Sequence, residues 1–83
     1  MDMPSVLKIE RIHVWAGHLL RQAREAKGYS QEALGQLVHA TRESVNAWES
    51  GRQTPGGTKI ASLASALDRE PGDFYVVRER ATE

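Results

Sequence analysis

"HATRESVNAWESG" (residues 39–51) decides how this chain folds. Its large apolar residues, Val45 and Trp48, stand three apart, the contact spacing of one helix face. Thr41 offers a hydroxyl at an N-cap position ahead of "RESVNAWES", and Gly51 supplies a stop just past it. The stretch therefore predicts a short helix that docks by a narrow apolar edge. His39, Arg42, Glu43, Ser44, Asn46, Glu49 and Ser50 fill the rest of its surface with groups that can hydrogen-bond to water or to a partner.

Helical periodicity continues on both sides. Upstream, Ala16, Leu19, Leu20, Ala23 and Lys27 recur at three and four, with Arg21 and Glu25 paired on the opposite side and Gly28 as a stop. Ser30 is positioned to cap "QEALGQLV", where Glu32 suits the positive end of the helix dipole and Ala33, Leu34, Leu37 and Val38 form the apolar edge. Downstream, "RQTPGG" is a loop by composition, and Ile60, Leu63, Ala64 and Leu67 form a further helical stripe. Pro71 suits the first turn of a short fifth helix carrying Phe74 and Tyr75. The ends are ambiguous. Val6, Ile9 and Ile12 suit a helix, whereas Lys8, Glu10, Ile12 and Val14 half suit a strand, and "FYVVRER" is β-rich in residue type. These segments pair with each other or with a second subunit; the pattern does not choose.

Composition narrows the function classes. Eighty-three residues make one small domain with a single core, divided on this reading into an extension (1–13), a helical unit (14–76) and a tail (77–83). The apolar runs are too short for a membrane span, and the charged start does not read as a signal peptide. The absence of cysteine excludes disulfides and thiolate metal sites, and fits the cytoplasm. His13, His18 and His39 share no metal-ligand spacing, and "TPGGTK" lacks the spacing of a phosphate-binding loop. No metal, cofactor or catalytic arrangement is expected, and the chain reads as a non-enzyme. Eleven basic residues balance eleven acidic ones, so any basic footprint for a polyanion must be local. Across residues 39–59, Arg42, Arg52 and Lys59 stand against Glu43 and Glu49, a net charge of +1.

Two short helices joined by a tight break form the plan of a helix-turn-helix. Residues 16–75 resemble the Cro/phage-repressor-like, or XRE, helix-turn-helix family. "GYSQEALG" (28–35) matches that family's entry, and Leu34, Val38, Ala40, Val45 and Trp48 occupy its apolar positions. Gly35 stands at its small crossing position, "WESG" (48–51) matches its helix ending, and Pro55 and "IASLASAL" (60–67) follow in order. His39 departs from the family's turn glycine, and Asp68 and Arg69 depart from its glycine and apolar residue. The resemblance implies an all-α bundle of four to five helices of the lambda-repressor type. It also implies a structural salt bridge between Arg24 and Glu49.

With Val45 and Trp48 turned inward, the outward positions of the "RESVNAWES" helix are Arg42, Glu43, Asn46 and Ala47. An α-helix fits the major groove of B-DNA, and its front turns reach base edges. Arg42 suits guanine, Asn46 adenine, Glu43 a cytosine amine, and Ala47 a thymine methyl. Glu43 equally suits the helix dipole alone, Trp48 is assigned to the core, and Trp15 to the core or a dimer contact. Phosphate contacts belong to helix ends and the following loop, where the resemblance points to Gln31, Ser44, Ser50 and Arg52; Thr41 and Lys59 are expected to join them, with Gly56 and Gly57 allowing a close backbone approach. The expectation is a double-stranded-DNA-binding transcriptional regulator, a homodimeric repressor on a palindromic operator in a bacterial or phage setting. The rival reading is an antitoxin or interaction module whose main ligand is a regulatory or toxin partner protein.

Overall fold

The computed structural model describes residues 8–82. In chain order these form β1 (Lys8–Trp15), α1 (Gly17–Ala26), α2 (Gln31–Leu37), α3 (Arg42–Ser50), α4 (Gly57–Leu67), a 3-10 turn (Pro71–Phe74) and β2 (Tyr75–Thr82). The four helices enclose one core, in which Leu20, Leu34, Val38, Val45, Leu63, Leu67 and Phe74 are all but inaccessible to water. Each such side chain contributes about 1.5–3 kcal/mol by leaving water, so this cluster is the main source of the domain's stability.

The chain is not purely α. β1 and β2 pair antiparallel, from Trp15 opposite Tyr75 out to Lys8 opposite Thr82. The alternation of Lys8, Glu10, Ile12 and Val14 thus settles as strand, while Val6 lies outside the described residues. The ribbon leaves the core at Trp15 and Tyr75. Eight residues a side carry it about 27 Å away. The molecule accordingly measures 62 × 22 × 20 Å, with a radius of gyration of 16.6 Å. A compact chain of this length would have a radius of about 12 Å.

Two other expectations change. Tyr75 opens β2 instead of completing a fifth helix, because only a 3-10 turn separates Pro71 from the strand. Leu37, assigned to the core edge of α2, is 53% exposed. Val38 takes the inward position beside it, at the end of the helix.

Two glycines allow the helices to meet. A Cβ on Gly17 would lie 2.2 Å from the Trp48 carbonyl oxygen and 2.4 Å from that of Glu49, so the start of α1 abuts the end of α3. A Cβ on Gly35 would lie 2.6 Å from the Ala40 carbonyl oxygen. The close neighbour that requires a small residue there is the turn backbone after α2.

Candidate nucleic-acid interface

α2 and α3 are each started by a hydroxyl. Ser30 Oγ accepts from the Ala33 N–H at 3.0 Å, and Thr41 Oγ1 accepts from the Ser44 N–H at 3.0 Å. Each satisfies a donor that a helix start would otherwise leave open. Between the helices, His39 has φ 56°, and the Ala40 N–H donates to Gly35 O at 2.8 Å. Gly51 ends α3 with φ 80°.

α3 is held from behind. Val45 is fully buried and Trp48 is 7% exposed. The Trp15 indole N–H donates to the Trp48 carbonyl at 2.8 Å, and the Trp15 ring packs against Phe74 and Tyr75 at 5.9 and 5.7 Å between centroids. Trp15 therefore joins the root of the ribbon to the end of α3. The Arg24 guanidinium donates through Nε to Glu49 Oε2 at 2.7 Å, through Nη2 to Oε1 at 3.0 Å, and through Nη1 to the Tyr29 carbonyl at 2.7 Å. Both side chains are largely withdrawn from water, and the hydrogen bond that Arg24 donates to Glu49 holds the Arg24 pKa above its ordinary value.

The front of α3 is open. Arg42, Glu43 and Asn46 are exposed on successive turns. Ala47, expected to point outward with them, is only 6% exposed. It lines a shallow groove with Glu43, Ser44, Asn46, Arg52 and Gln53, because the chain after Gly51 folds back over it. The Gln53 N–H and the Ser50 hydroxyl both donate to the Ala47 carbonyl, at 3.2 and 3.1 Å.

The residues expected at phosphate divide. Arg52 is exposed, with Nε donating to Ser50 Oγ at 3.1 Å, so these two already act together. Thr41 and Ser44 join hydroxyl to hydroxyl at 3.0 Å on the open side of α3. Gln31 is half-buried between the helices. Its Nε2 donates to Glu49 Oε1 at 3.1 Å and to Asn46 Oδ1 at 3.3 Å. Lys59 departs most from expectation. Its ammonium turns inward and donates to the carbonyls of Val38 at 2.6 Å and His39 at 3.3 Å, where α2 has run out of its own donors. A lysine beside two glycines signals nothing of this in sequence, because the contact depends on how α4 crosses the turn. The Gln31 bridge and the Trp15 link went unseen for the same reason. Among the described residues no group of three potential metal ligands comes together. No helix there is long and apolar enough to cross a membrane.

Known proteins are similar to this chain in sequence and fold. The helix-turn-helix family model matches residues 20–74. An uncharacterized HTH-type transcriptional regulator of Methanothermobacter thermautotrophicus is 36% identical over 62 residues, covering 74% of this chain and 90% of its own. The HTH-type regulator y4aM of Sinorhizobium fredii is 28% identical over 82% of this chain; the chain spans 48% of that relative's length. Among solved structures, the restriction-modification controller protein C.AhdI from Aeromonas hydrophila is 41% identical, covering 70% of this chain and 88% of that one, with a TM-score of 0.66. The P22 c2 repressor, in complex with a synthetic operator, is 29% identical over 66% of this chain and 83% of its own, with a TM-score of 0.65. The fold also recurs inside a larger chain. HppE, in a cobalt form with its substrate, is 30% identical over 72% of this chain but only 34% of its own, with a TM-score of 0.67.

Proposed function

The chain belongs to the helix-turn-helix family, and on that premise we propose that it is a sequence-specific DNA-binding regulator that acts as a homodimeric repressor. The observation that carries this reading is the polarity of α3. Its rear is locked by Val45, Trp48 and the Arg24–Glu49 pair, while Arg42, Glu43 and Asn46 stand exposed on its front turns. A rigid helix with open front turns is what the major groove admits. Arg42 and Asn46 are the base readers, with Glu43 beside them. Ala47 serves as the floor of the groove and reaches a base only if the partner enters deeply. Arg52 with Ser50, and Ser44 with Thr41, hold phosphates on either side, and Gln31 is the contact at the start of α2. Lys59 we reassign to the turn it clamps. Repression is supported by the likeness to the P22 c2 repressor, and the binding of DNA by the operator in that complex. Since one fold hosts many functions, the HppE likeness carries no chemistry to this chain. On this reading the protein works in the cytoplasm of a bacterial or phage-infected cell.

A single reader helix with one arginine discriminates weakly, and a second copy on a palindrome compensates. The ribbon supports this. Ile9, Arg11, His13 and Val77, Glu79, Ala81 share one face, whose exposed Ile9 and Val77 flank an Arg11–Glu79 ion pair. That face exposes two large apolar side chains, is neutral overall and is self-complementary, since a two-fold axis sets each Arg11 against the other copy's Glu79. The opposite face carries Lys8, Arg78 and Arg80 against Glu10, with the half-buried Ile12, Val14 and Val76 among them, and is basic. We assign the face of Ile9 and Val77 to the second protomer.

The test is selection from a random duplex pool, followed by titration at several salt concentrations. Arg42→Ala is expected to relax choice at one base pair per half-site. Arg52→Ala should weaken all sequences alike and reduce the salt slope by about 1. Salt-insensitive binding, or enrichment of no sequence, would instead favour a protein as the main ligand.

A further inference from the structure

The polar side chains behind α3 form a chain with one direction. A carboxylate only accepts hydrogen bonds. Glu49 is nearly enclosed, its side chain 4% exposed, and Arg24 engages both its oxygens. Oε1 also faces the Gln31 amide at 3.1 Å, so the Gln31 atom there must be the amine. That same Nε2 lies 3.3 Å from the Asn46 amide. Two amines cannot usefully face one another, so Asn46 turns its oxygen to Gln31. Shape alone does not distinguish the two ends of an amide, but a fixed carboxylate decides both amides in turn.

We propose that the buried Arg24–Glu49 pair, acting through Gln31, presets Asn46 to offer its Nδ2 amine to the groove, so that Asn46 selects a base edge that accepts. Guanine presents two such acceptors, O6 and N7, whereas thymine O4 and adenine N7 present one each. Cytosine presents a donor and is rejected. Adenine makes its full pair with asparagine only when oxygen and nitrogen are aimed at N6 and N7 together, and here the oxygen is aimed at α2, so adenine keeps a single bond. Gln31 is thus a positioning residue for base readout. The adenine preference expected for Asn46 from residue type alone is replaced by a donor's preference. This inference rests on α3 being the base-reading helix.

Two measurements separate the relay from that reading. In the free protein, side-chain amide NMR is expected to show the Gln31 NH2 protons protected from exchange and those of Asn46 exchanging freely. The reverse pattern, or equal exchange, would overturn the relay without any DNA present. In duplex selection, Asn46→Ala locates the base pair that Asn46 reads. The wild-type protein should enrich guanine there by about tenfold over adenine, and Gln31→Met should abolish most of that preference. Gln31→Met keeps the backbone N–H, the donor left to Gln31 for a phosphate once both amine protons are engaged, so any phosphate contact there persists and weighs on every sequence alike. Adenine selected by the wild type at that pair, or a preference unchanged in Gln31→Met, would refute the proposal. A wild-type protein that enriches no duplex refutes the DNA reading and the base preference with it, and the NMR result then decides whether the relay itself exists.

Discussion

Arg24 on α1 and Glu49 on α3 meet at two points, 2.7 and 3.0 Å apart, with side chains 11% and 4% exposed. This pair ties the first helix to the candidate reader, and its burial decides what its loss should cost. Exposed ion pairs contribute about 0–1 kcal/mol, whereas removing one partner of a buried pair costs about 3–5 kcal/mol because the other charge is left without compensation. Glu49→Ala is therefore expected to lower unfolding stability by about 3–5 kcal/mol, a large part of what a small domain has. Urea denaturation measures it, as a fall in midpoint with little change in slope. A loss below about 1 kcal/mol would show that water reaches the pair in solution.

His39 carries φ 56° in the turn between α2 and α3. The left-handed region costs a side-chain-bearing residue about 1–2 kcal/mol, while glycine's greater freedom in the unfolded chain offsets about 0.4–1 kcal/mol of any gain. The first effect is larger. His39→Gly should stabilise the domain by about 0.5–1 kcal/mol, raising its melting temperature by about 2–8 °C. The Lys59 contact is unaffected, since it is made to the His39 carbonyl. A lower melting temperature would mean that the imidazole makes a contact worth more than the strain.

Asp68 ends α4 in the same left-handed region, φ 55°, and pairs with Lys27 of the α1 C-cap. The hydrogen bond from Lys27, followed by its charge, holds the Asp68 carboxyl below its ordinary pKa of 3.8. The same bond raises Lys27 above 10.5. A depressed carboxyl stabilises the fold above its unfolded pKa, and that contribution disappears as pH falls through the folded value. Asp68→Asn keeps a residue that tolerates the backbone but removes the charge. The variant should therefore melt below the wild type at pH 6, and the two should converge at pH 2. Because both groups are open to solvent, the gap should also shrink with added salt. A gap of equal size at both pH values would mean that the ion pair does not cause it.

What the sequence discloses is what depends on neighbours along the chain. The caps at Ser30 and Thr41, the stop at Gly51 and the inward turn of Val45 and Trp48 all follow from offsets of a few residues, and the helix-turn-helix resemblance is built from such offsets. The ribbon joins residues some seventy positions apart, so the half-alternation of β1 had no partner to confirm it. Leu37 looked buried because an apolar edge by type does not say where its helix ends. The same limit applies to Lys59, Gln31 and Trp15. Their side chains act across helix crossings, which no local pattern encodes, and the front of α3 was easier to infer than the polar apparatus behind it.

The ribbon gives the remaining prediction. A two-stranded ribbon with no further cover is marginal in water, and this one exposes Ile9 to 61% and Val77 to 56% on a single face. Packing that face against its copy would bury both residues twice over and satisfy the Arg11–Glu79 charges across the axis. Val77→Glu replaces an exposed apolar side chain of that face with a second carboxylate beside Glu79, facing the same pair in the other copy. By sedimentation the wild type is expected to be a dimer at micromolar concentration and Val77→Glu a monomer. Arg78→Ala, on the opposite face, should leave the mass unchanged. Affinity for a palindromic duplex should fall in Val77→Glu to that for a single half-site, because the second reader helix is no longer tethered. A wild type that sediments as a monomer, or a Val77→Glu protein that remains a dimer, would remove the ribbon from the interface.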